Sequence, residues 1–392
     1  MTGSERGFYN RSLRMDFELT SEQRLLRDNA RRFLEREVAP RIAAAEADAT
    51  FPRDLYPRLA EIGFVGATVA AEHGGHGLDF TSYLVLVEEL AYCWGSLRSS
   101  VTTHNMVTGI VAEAGSAAQR EAYLPGLTSG AMVAFFGLTE PNVGSDASGV
   151  ELVAEEHGDG FRLRGTKTLI TNGTVADVGV VIARIRDVGP TGFLVDRRES
   201  PFGARALEKM GNLATPLAEL SFEDVLVPKR NLIGEPGKGL RLALRGLAQG
   251  RCAVAFAAIG LARAALDASV RYAKERKQFG KPIGAFQLVQ AMIAEMVNLT
   301  DASRLLAYRA AAALERGEKA VLESSQAKLF ATESGQRVAE LAIQVHGGYG
   351  YTREFPVERF YRDLRHLTLA EGTTQIQQLV IGRELLGIDA IR

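Results

Sequence analysis

The sequence has no excess of charge of either sign, because 46 lysines and arginines are balanced by 47 aspartates and glutamates among its 392 residues. A net charge of -1 gives no electrostatic basis for binding nucleic acid or an anionic membrane. Cys93 and Cys252 are the only cysteines, which excludes a disulfide framework and a multi-cysteine metal site. So few cysteines are typical of a reducing compartment, and we expect a cytoplasmic protein.

Long apolar runs are also scarce, since no stretch approaches the ~18 consecutive apolar residues of a membrane span. The opening MTGSERGFYNRSLR has no signal-peptide core, and we expect residues 1–14 to form a loose tail. Lys238 in GEPGKGL is followed by glycine, so this segment is not a phosphate-binding P-loop. His73 and His76 have no third ligand nearby, and we predict no metal.

The period of the apolar residues changes twice along the chain. Over residues 15–133 it is helical, and LTSEQRLLRDNARRFLEREVAP predicts a helix that begins at Thr20 or Ser21 and ends before Pro40. Over 134–238, short strand patterns without intervening helices predict an antiparallel barrel or sandwich. Long helical patterns return over 239–392. We therefore predict an α+β fold of three units.

Three stretches contain residues that packing alone does not demand. FFGLTEPNVGSDASG places Thr139 and Ser145 around a turn, and KTLITNG places Thr171 before an Asn-Gly turn. RYAKERKQFGKPIGAFQ interrupts a helix with three neighbouring side chains, Arg276, Gln278 and Phe279. A guanidinium suits a pyrophosphate, and a phenyl ring suits an aromatic heterocycle. Each stretch alone is also explained by ordinary turn or helix-end chemistry, but together they favour one large, anionic, aromatic cofactor.

The chain resembles the acyl-CoA dehydrogenase family. Five motifs carry the resemblance, in family order and spacing: LTEPNVGSD, KTLITNG, ERKQFGKPIGAFQ, QVHGGYGYTREFPVERFYRD and AEGTTQIQ. The resemblance implies an N-terminal helical domain, a middle antiparallel β-barrel and a C-terminal four-helix bundle. It also implies bound FAD and a homotetramer, a dimer of dimers in which the flavin reaches across a subunit boundary.

The resemblance assigns two sets of cofactor-binding residues. The first lies along the flavin ring and its pyrophosphate, with Thr171 near flavin N5: Phe136, Leu138, Thr139, Ser145, Leu169 and Thr171. The second contacts the FAD of a neighbouring subunit: Arg276, Gln278, Phe279, Gln287, Gln344 and Gly348. Thr373 and Gln375 would complete the site.

Glu371 is the expected catalytic base. It lies in the mainly apolar run LRHLTLAEGTTQIQQLVIG, a setting that raises the pKa of a carboxyl group. In the family, the glutamate of this E-G-T motif takes the α-proton of a thioester while the β-hydrogen leaves as hydride to flavin N5. Its backbone N–H, with a flavin ribityl hydroxyl, is expected to hold the thioester carbonyl, which Gly372 lets approach closely. Arg251 matches a family arginine that orders this carboxylate, and the alternative base position on the preceding helix is Gly250.

The expected acyl pocket is unusually polar. Ala370 replaces a common aromatic residue, and Leu169 replaces a tryptophan beside the flavin. CWGSLRSSVTTHN, in the helix that closes the pocket, contributes Arg98, Ser99, Ser100, Thr102, Thr103 and His104. The predicted substrate contacts are Arg98, Ser99, Thr102, Ser145, Ala370 and Gly372. A similar Arg-Ser pattern occurs in glutaryl-CoA dehydrogenases and in carrier-protein enzymes of polyketide pathways, but Arg98 could instead cap its helix or form a surface ion pair.

We therefore expect FAD-dependent α,β-dehydrogenation of a short, polar acyl thioester, with electrons passing to an electron-transferring flavoprotein or another acceptor. The alternative is the same chemistry on an acyl or hydroxyacyl group tethered to an acyl carrier protein. A flavin-bound assembly protein without turnover is a lesser alternative, which the intact Glu371 and Arg251 disfavour.

Overall fold

The computed structural model describes residues 18–390, so the predicted tail over residues 1–14 lies outside the described residues. The order of helices, then strands, then helices is confirmed. The N-terminal unit contains six α-helices: α1 (Ser21–Phe33), α2 (Ile42–Ala47), α3 (Leu55–Glu61), α4 (Phe80–Cys93), α5 (Gly95–Ala114) and α6 (Ala117–Thr128).

Helix α1 begins as predicted. The Thr20 hydroxyl accepts a hydrogen bond from the backbone N–H of Gln23, whose side chain accepts one from the Thr20 N–H. The predicted end before Pro40 is wrong, because helical turns continue past it through Leu34–Val38 (π-helical) and Ala39–Arg41 (3-10). Proline is tolerated in the first turn of a helical segment, where its missing N–H leaves no intrahelical bond unmade.

The middle unit contains eight strands: β1 (Ala134–Gly137), β2 (Val153–His157), β3 (Gly160–Thr171), β4 (Val178–Ile185), β5 (Gly189–Asp196), β6 (Gly203–Ala206), β7 (Leu217–Pro228) and β8 (Leu232–Ile233). They form one sheet in the order β6-β7-β3-β2-β4-β5-β8, with β1 paired to β4 off this path.

The prediction of a closed, antiparallel barrel is wrong, because β6 and β8 are the unjoined ends of this sheet among the described strands. Two pairings are also parallel: β1 pairs with residues 178–181 of β4, and β2 pairs with residues 184–185. β5 occupies the other edge of β4. The alternating pattern identifies strand residues but not which edge of a strand pairs with which partner, so it could not predict this arrangement.

The C-terminal unit contains α7 (Gly239–Arg245), α8 (Leu247–Glu275), α9 (Gln287–Glu315), α10 (Val321–His346), α11 (Val357–Arg365) and α12 (Thr374–Leu386). A hairpin of β9 (Lys277–Gln278) and β10 (Lys281–Pro282) separates α8 from α9. Helix α10 packs against α8, α9, α11 and α12. The stretch Gly239–Glu275 is long and apolar enough to cross a membrane, but 72% of its most apolar window is buried inside the protein. It therefore includes the core helix of this unit.

Candidate active site

The first two motifs form one structural unit. Lys167 Nζ donates to Glu140 Oε1 at 2.5 Å and to the Leu138 carbonyl at 2.9 Å, and this ion pair is buried. The backbone N–H of Thr168 donates to the Thr139 carbonyl at 2.9 Å. Burial lowers the pKa of Lys167 to about 8, although Glu140 opposes the shift. This pair fixes the loop after β1 against strand β3.

Leu169 points out of this unit toward solvent. Its φ is 57° and the residue is 60% exposed, within the irregularity that shifts the pairing of β3 with β7 between Lys167 and Ile170. The other predicted flavin contacts on this unit are half-buried: Phe136, Leu138, Thr139 and Thr171. Ser145 is exposed in the loop after β1. The result is a partly apolar surface with hydroxyl groups, a composition that suits a flavin ring.

Three of the six residues of the second predicted set, Arg276, Gln278 and Gly348, line a cavity of about 500 Å³ between α8, β9 and α10. Its lining is Tyr272, Arg276, Gln278, Ile283, Val345, His346, Gly347, Gly348, Tyr349 and Thr352. The predicted Phe279, Gln287 and Gln344 are exposed and are not among its lining residues; Phe279 is 93% exposed.

The cavity combines aromatic walls with one guanidinium. The Tyr272 ring stacks on His346 with centroids 4.3 Å apart, and Arg276 lies 5.7 Å from the centroid of the Tyr349 ring. A Cβ atom on Gly348 would meet nothing within 4 Å, so the backbone there is open to a ligand. A pyrophosphate and an aromatic base fit this donor and ring set. The motif QVHGGYGYTREFPVERFYRD predicted Gln344 and Gly348 as cofactor contacts, but it did not predict Tyr349, whose ring lines this cavity.

Glu371 lies in a turn that two buried side chains hold. Glu371 and Gly372 both have positive φ, 56° and 92°. Lys328 Nζ donates to the carbonyls of Thr368 and Gly372 at 3.1 and 2.9 Å. Gln377 Nε2 donates to the carbonyls of Glu371 and Gly372 at 3.1 and 3.0 Å. The positive φ of Glu371 costs free energy, and the contacts of Lys328 and Gln377 offset that cost. These contacts therefore hold the backbone that carries the carboxylate.

The electrostatic setting of Glu371 suits a base. Burial raises the pKa of the Glu371 carboxyl, while the charges of Arg251 and Lys328 act in the opposite direction. Arg251 Nη1 donates to Ser325 Oγ at 3.2 Å, and its Nε has no hydrogen-bond partner within residues 18–390. Burial also lowers the pKa of Lys328, to about 8. The two cations thus stabilise the charged carboxylate without cancelling the effect of burial.

The polar residues of α5 divide into three groups. Ser100 and His104 bond to other parts of the core: Ser100 Oγ lies 2.6 Å from Tyr56 Oη, and His104 Nε2 lies 2.9 Å from the Leu127 carbonyl. Thr102 donates to the Arg98 carbonyl of its own helix at 3.0 Å. Thr103 donates likewise, to the Ser99 carbonyl at 3.1 Å.

Arg98 and Ser99 instead face the segment that carries Glu371. Arg98 is only 4% exposed, so the alternative of a surface ion pair is wrong. Arg98 Nη2 and Ser99 Oγ each lie 3.4 Å from Nε2 of His366. Arg98 Nε is buried without a hydrogen-bond partner in the described part of the chain. Burial lowers the pKa of Arg98 to about 10, against the raising effect of Asp363.

Sequence reasoning missed Lys328, Gln377 and His366. Lys328 and Gln377 are among the few long polar side chains that the fold buries completely. Their signal is weak, because a single lysine or glutamine in a helix usually marks a solvated face. His366 lies within the quoted run around Glu371, and its position five residues before the glutamate was the available clue.

Helical end units around a middle sheet, a glutamate whose pKa is raised and a ring-lined cavity beside a guanidinium are the features expected of a flavin-dependent oxidoreductase. Three family models match successive parts of the chain: Acyl-CoA dehydrogenase, N-terminal domain at residues 20–131, middle domain at 135–225 and C-terminal domain at 237–386. The chain therefore belongs to the acyl-CoA dehydrogenase family. Members of this family are FAD enzymes that dehydrogenate acyl-CoA.

Individual relatives agree with this assignment. The Caffeyl-CoA reductase-Etf complex subunit CarC of Acetobacterium woodii is 38% identical over 94% of this chain and 99% of its own. A solved glutaryl-coenzyme A dehydrogenase in complex with glutaryl-CoA has a TM-score of 0.92 at 36% identity, over 96% of this chain and 98% of that one. The Prolyl Acyl Carrier Protein Oxidase AnaB has a TM-score of 0.89 at 30% identity, over 95% of this chain and 100% of that one.

Proposed function

We propose that this enzyme dehydrogenates a short acyl thioester whose acyl chain carries a polar group, with Glu371 as the base. The observation that carries the proposal is the burial of Arg98 beside His366. A guanidinium that is 4% exposed, with an unpartnered Nε and one long hydrogen bond, leaves donors for a ligand. The His366 carbonyl accepts from the backbone N–H groups of Leu369 and Ala370, so His366 belongs to the turn that leads into Glu371.

The roles of the residues follow from their settings. Glu371 takes the α-proton, and its raised pKa makes it a stronger base than an exposed carboxylate. Arg251 and Lys328 stabilise the carboxylate before it accepts that proton, and the contacts of Lys328 and Gln377 fix its turn. When bound, FAD supplies the acceptor for the β-hydride. Phe136, Leu138, Thr139 and Thr171 would hold its ring, and Arg276 and Gln278 would hold the pyrophosphate end of a neighbour's FAD.

The polar groups would also exclude long alkyl chains. An alkyl tail that displaced water from Arg98 and Ser99 would return no hydrogen bond, and each loss costs about 1–3 kcal/mol. A site that hydrogen-bonds its substrate can discriminate strongly against an analogue that lacks the polar group. An apolar pocket distinguishes two substrates by only about 1–3 kcal/mol for each methylene group. Short, oxygen-bearing acyl groups are therefore the proposed substrates.

A carrier-protein thioester is the second candidate. The similarity to AnaB, whose name describes an acyl carrier protein oxidase, supports it. The name of the Acetobacterium woodii relative, a subunit of an Etf complex, supports an electron-transferring flavoprotein as acceptor. We also propose a cytoplasmic homotetramer. Exposed apolar side chains on α12 and beyond, such as Leu386 at 73% and Ile388 at 70%, support an assembly.

The test compares kcat/KM for glutaryl, hydroxybutyryl, butyryl and octanoyl thioesters, each on CoA and on a carrier protein. Wild type should prefer the short polar groups, and Arg98→Leu should weaken these much more than butyryl. Thr108→Val is a matched control, because Thr108 is also buried on α5 but bonds only to the His104 carbonyl of its own helix. Octanoyl-CoA as the best substrate would contradict the proposal, and the ratio of CoA to carrier rates distinguishes its two forms.

A further inference from the structure

We propose that His366 recognises a hydroxyl group on the acyl chain, so that with Arg98 it selects a hydroxyacyl thioester over a carboxyacyl or plain alkyl one. This inference rests on the proposed function and names its substrate class. It comes from the directions in which the polar groups of this cluster can donate and accept.

The proton on His366 is fixed by its backbone neighbour. Nδ1 lies 2.7 Å from the carbonyl oxygen of Asp363, which can only accept, so Nδ1 carries the hydrogen. The Asn212 side-chain nitrogen Nδ2 lies 2.8 Å from the same nitrogen, where two donors would then meet. The Asn212 oxygen Oδ1 has no hydrogen-bond partner among residues 18–390, so we exchange the two amide atoms and assign the oxygen to this contact. Nε2 is then the unprotonated nitrogen.

Nε2 faces one group that can only donate, Arg98 Nη2, and the hydroxyl of Ser99, which can turn its hydrogen toward the ring. Arg98 Nη2 and Ser99 Oγ both lie 3.4 Å away, at the long limit of a hydrogen bond. The lone pair of Nε2 is thus weakly engaged, and the guanidinium beside it is weakly engaged as well. A ligand group that accepts from Arg98 and donates to Nε2 would satisfy both residues at once. A hydroxyl group does this, because it has one donor hydrogen and two acceptor lone pairs.

A carboxylate does not match this arrangement. It has only acceptors, so it would place a negative oxygen against the lone pair of Nε2 unless His366 took up a proton. The charges of Arg98 on α5 and Lys328 on α10 oppose that uptake, because both lower the pKa of His366. The carboxyl of Asp363 on the adjoining α11 offsets them only in part, because burial raises its pKa to about 7. Burial together with Arg98 lowers the pKa of His366 to about 3. An alkyl group would leave Arg98 and Nε2 both without a partner.

The imidazole is also tied to the catalytic turn. The His366 carbonyl accepts from the backbone N–H groups of Leu369 and Ala370, at 2.9 and 3.0 Å. This short turn leads directly into Glu371. A group bound at Nε2 is therefore linked through this turn to Glu371, and it lies outside the cavity lined by Arg276 and Gln278.

The test uses FAD-loaded Glu371→Gln protein, which should bind thioesters without turning them over. Calorimetric titrations with 4-hydroxybutyryl-CoA, succinyl-CoA and pentanoyl-CoA, in two buffers of different ionisation heat, give both Kd and net proton uptake. The hydroxybutyryl thioester should bind about tenfold tighter than pentanoyl-CoA, the gain expected for one net hydrogen bond, with no proton uptake. Succinyl-CoA should bind only with proton uptake and should weaken as the pH rises.

Adding His366→Phe should reduce the preference for hydroxybutyryl over pentanoyl to about one, with pentanoyl binding nearly unchanged; Thr108→Val should keep the preference. Equal binding of hydroxybutyryl and pentanoyl, or tight succinyl binding without proton uptake, would overturn the inference. Flavin bleaching of the wild-type protein by the same thioesters reports on the proposed function separately. If the thioesters bleach the flavin but hydroxybutyryl-CoA does not bind tightest, only the hydroxyl assignment is wrong. If no thioester bleaches the flavin, the proposed function and the hydroxyl assignment are both wrong.

Discussion

A Cβ atom on Gly250 would lie 3.0 Å from Oε2 of Glu371 and 3.2 Å from its Cδ. A side chain at residue 250, on helix α8, would therefore occupy the same space as the Glu371 side chain from the turn before α12. Glu371 fills it with a carboxylate because residue 250 has no side chain. A base could reach this site from either element, and this chain supplies it from the turn.

Gly250→Ala should lower activity without lowering stability. The added methyl group would displace the carboxylate, and a misplacement on the order of 1 Å can cost about 100-fold in rate. Alanine also favours a helix by up to about 1 kcal/mol over glycine, so the melting temperature should hold or rise. The measurements are kcat and thermal unfolding. Gly246→Ala is the control, since a Cβ atom there meets nothing within 4 Å.

Glu371→Gln should stabilise the protein at neutral pH. The folded-state pKa of Glu371 is raised, so the folded protein loses stability as the pH rises through that pKa. Glutamine does not titrate, so the substitution removes this loss of stability. The difference in unfolding free energy between variant and wild type should vanish below the ordinary carboxyl pKa of about 4.3, where Glu371 is protonated in both the folded and the unfolded protein. Denaturant unfolding of both proteins between pH 4 and 8 checks this, and a variant less stable than wild type at pH 7 would contradict it.

Lys328→Met should move the pH dependence of the reaction. The Lys328 cation lowers the pKa of Glu371, so its loss should raise that pKa and shift the rising limb of the rate to higher pH. Two buried carbonyls would lose their donor, which should cost about 2 kcal/mol of unfolding free energy. Lys319→Met, at an exposed lysine, is the control for loss of charge. An unchanged pH–rate midpoint would show that Lys328 acts only on the fold.

Arg276→Ala should weaken FAD retention. Loss of a charge-assisted hydrogen bond to a pyrophosphate typically costs about 1.5–3 kcal/mol, or tenfold and more in affinity. A cofactor that binds only the folded assembly stabilises it, so the melting temperature should fall with flavin content. The ratio of flavin to protein absorbance after gel filtration reports both occupancy and assembly size. Lys277→Ala, at the exposed neighbouring lysine, should retain flavin. Equal flavin retention by the two variants would show that Arg276 does not bind the pyrophosphate.

The sequence predicted those features that depend on local pattern. Thr20 starts α1 because a hydroxyl and Gln23 three residues later form a capping box, which is readable in four residues. The buried stripe of Val338, Leu341, Ala342 and Val345 follows the helical period in the same way. Glu371 was identified by its unusual neighbours and its motif.

What the sequence could not provide depends on contacts between distant residues. The open sheet follows from two strands sharing one edge of β4, and no local pattern encodes that choice. Lys328 reaches Gly372 across 44 positions, and Arg98 reaches His366 across 268. Each of these side chains has an ordinary local context, so only the fold shows which distant residues they contact.

Anaerobic flavin bleaching by one equivalent of a short thioester tests the central claim, that Glu371 is the base of a flavin-dependent dehydrogenation. Wild type loaded with FAD should lose its visible absorbance rapidly on mixing with butyryl or hydroxybutyryl thioester. Glu371→Gln, equally folded and equally yellow, should bleach about 100- to 10,000-fold more slowly, the usual cost of losing a general base. Bleaching of that variant at the wild-type rate would contradict the account.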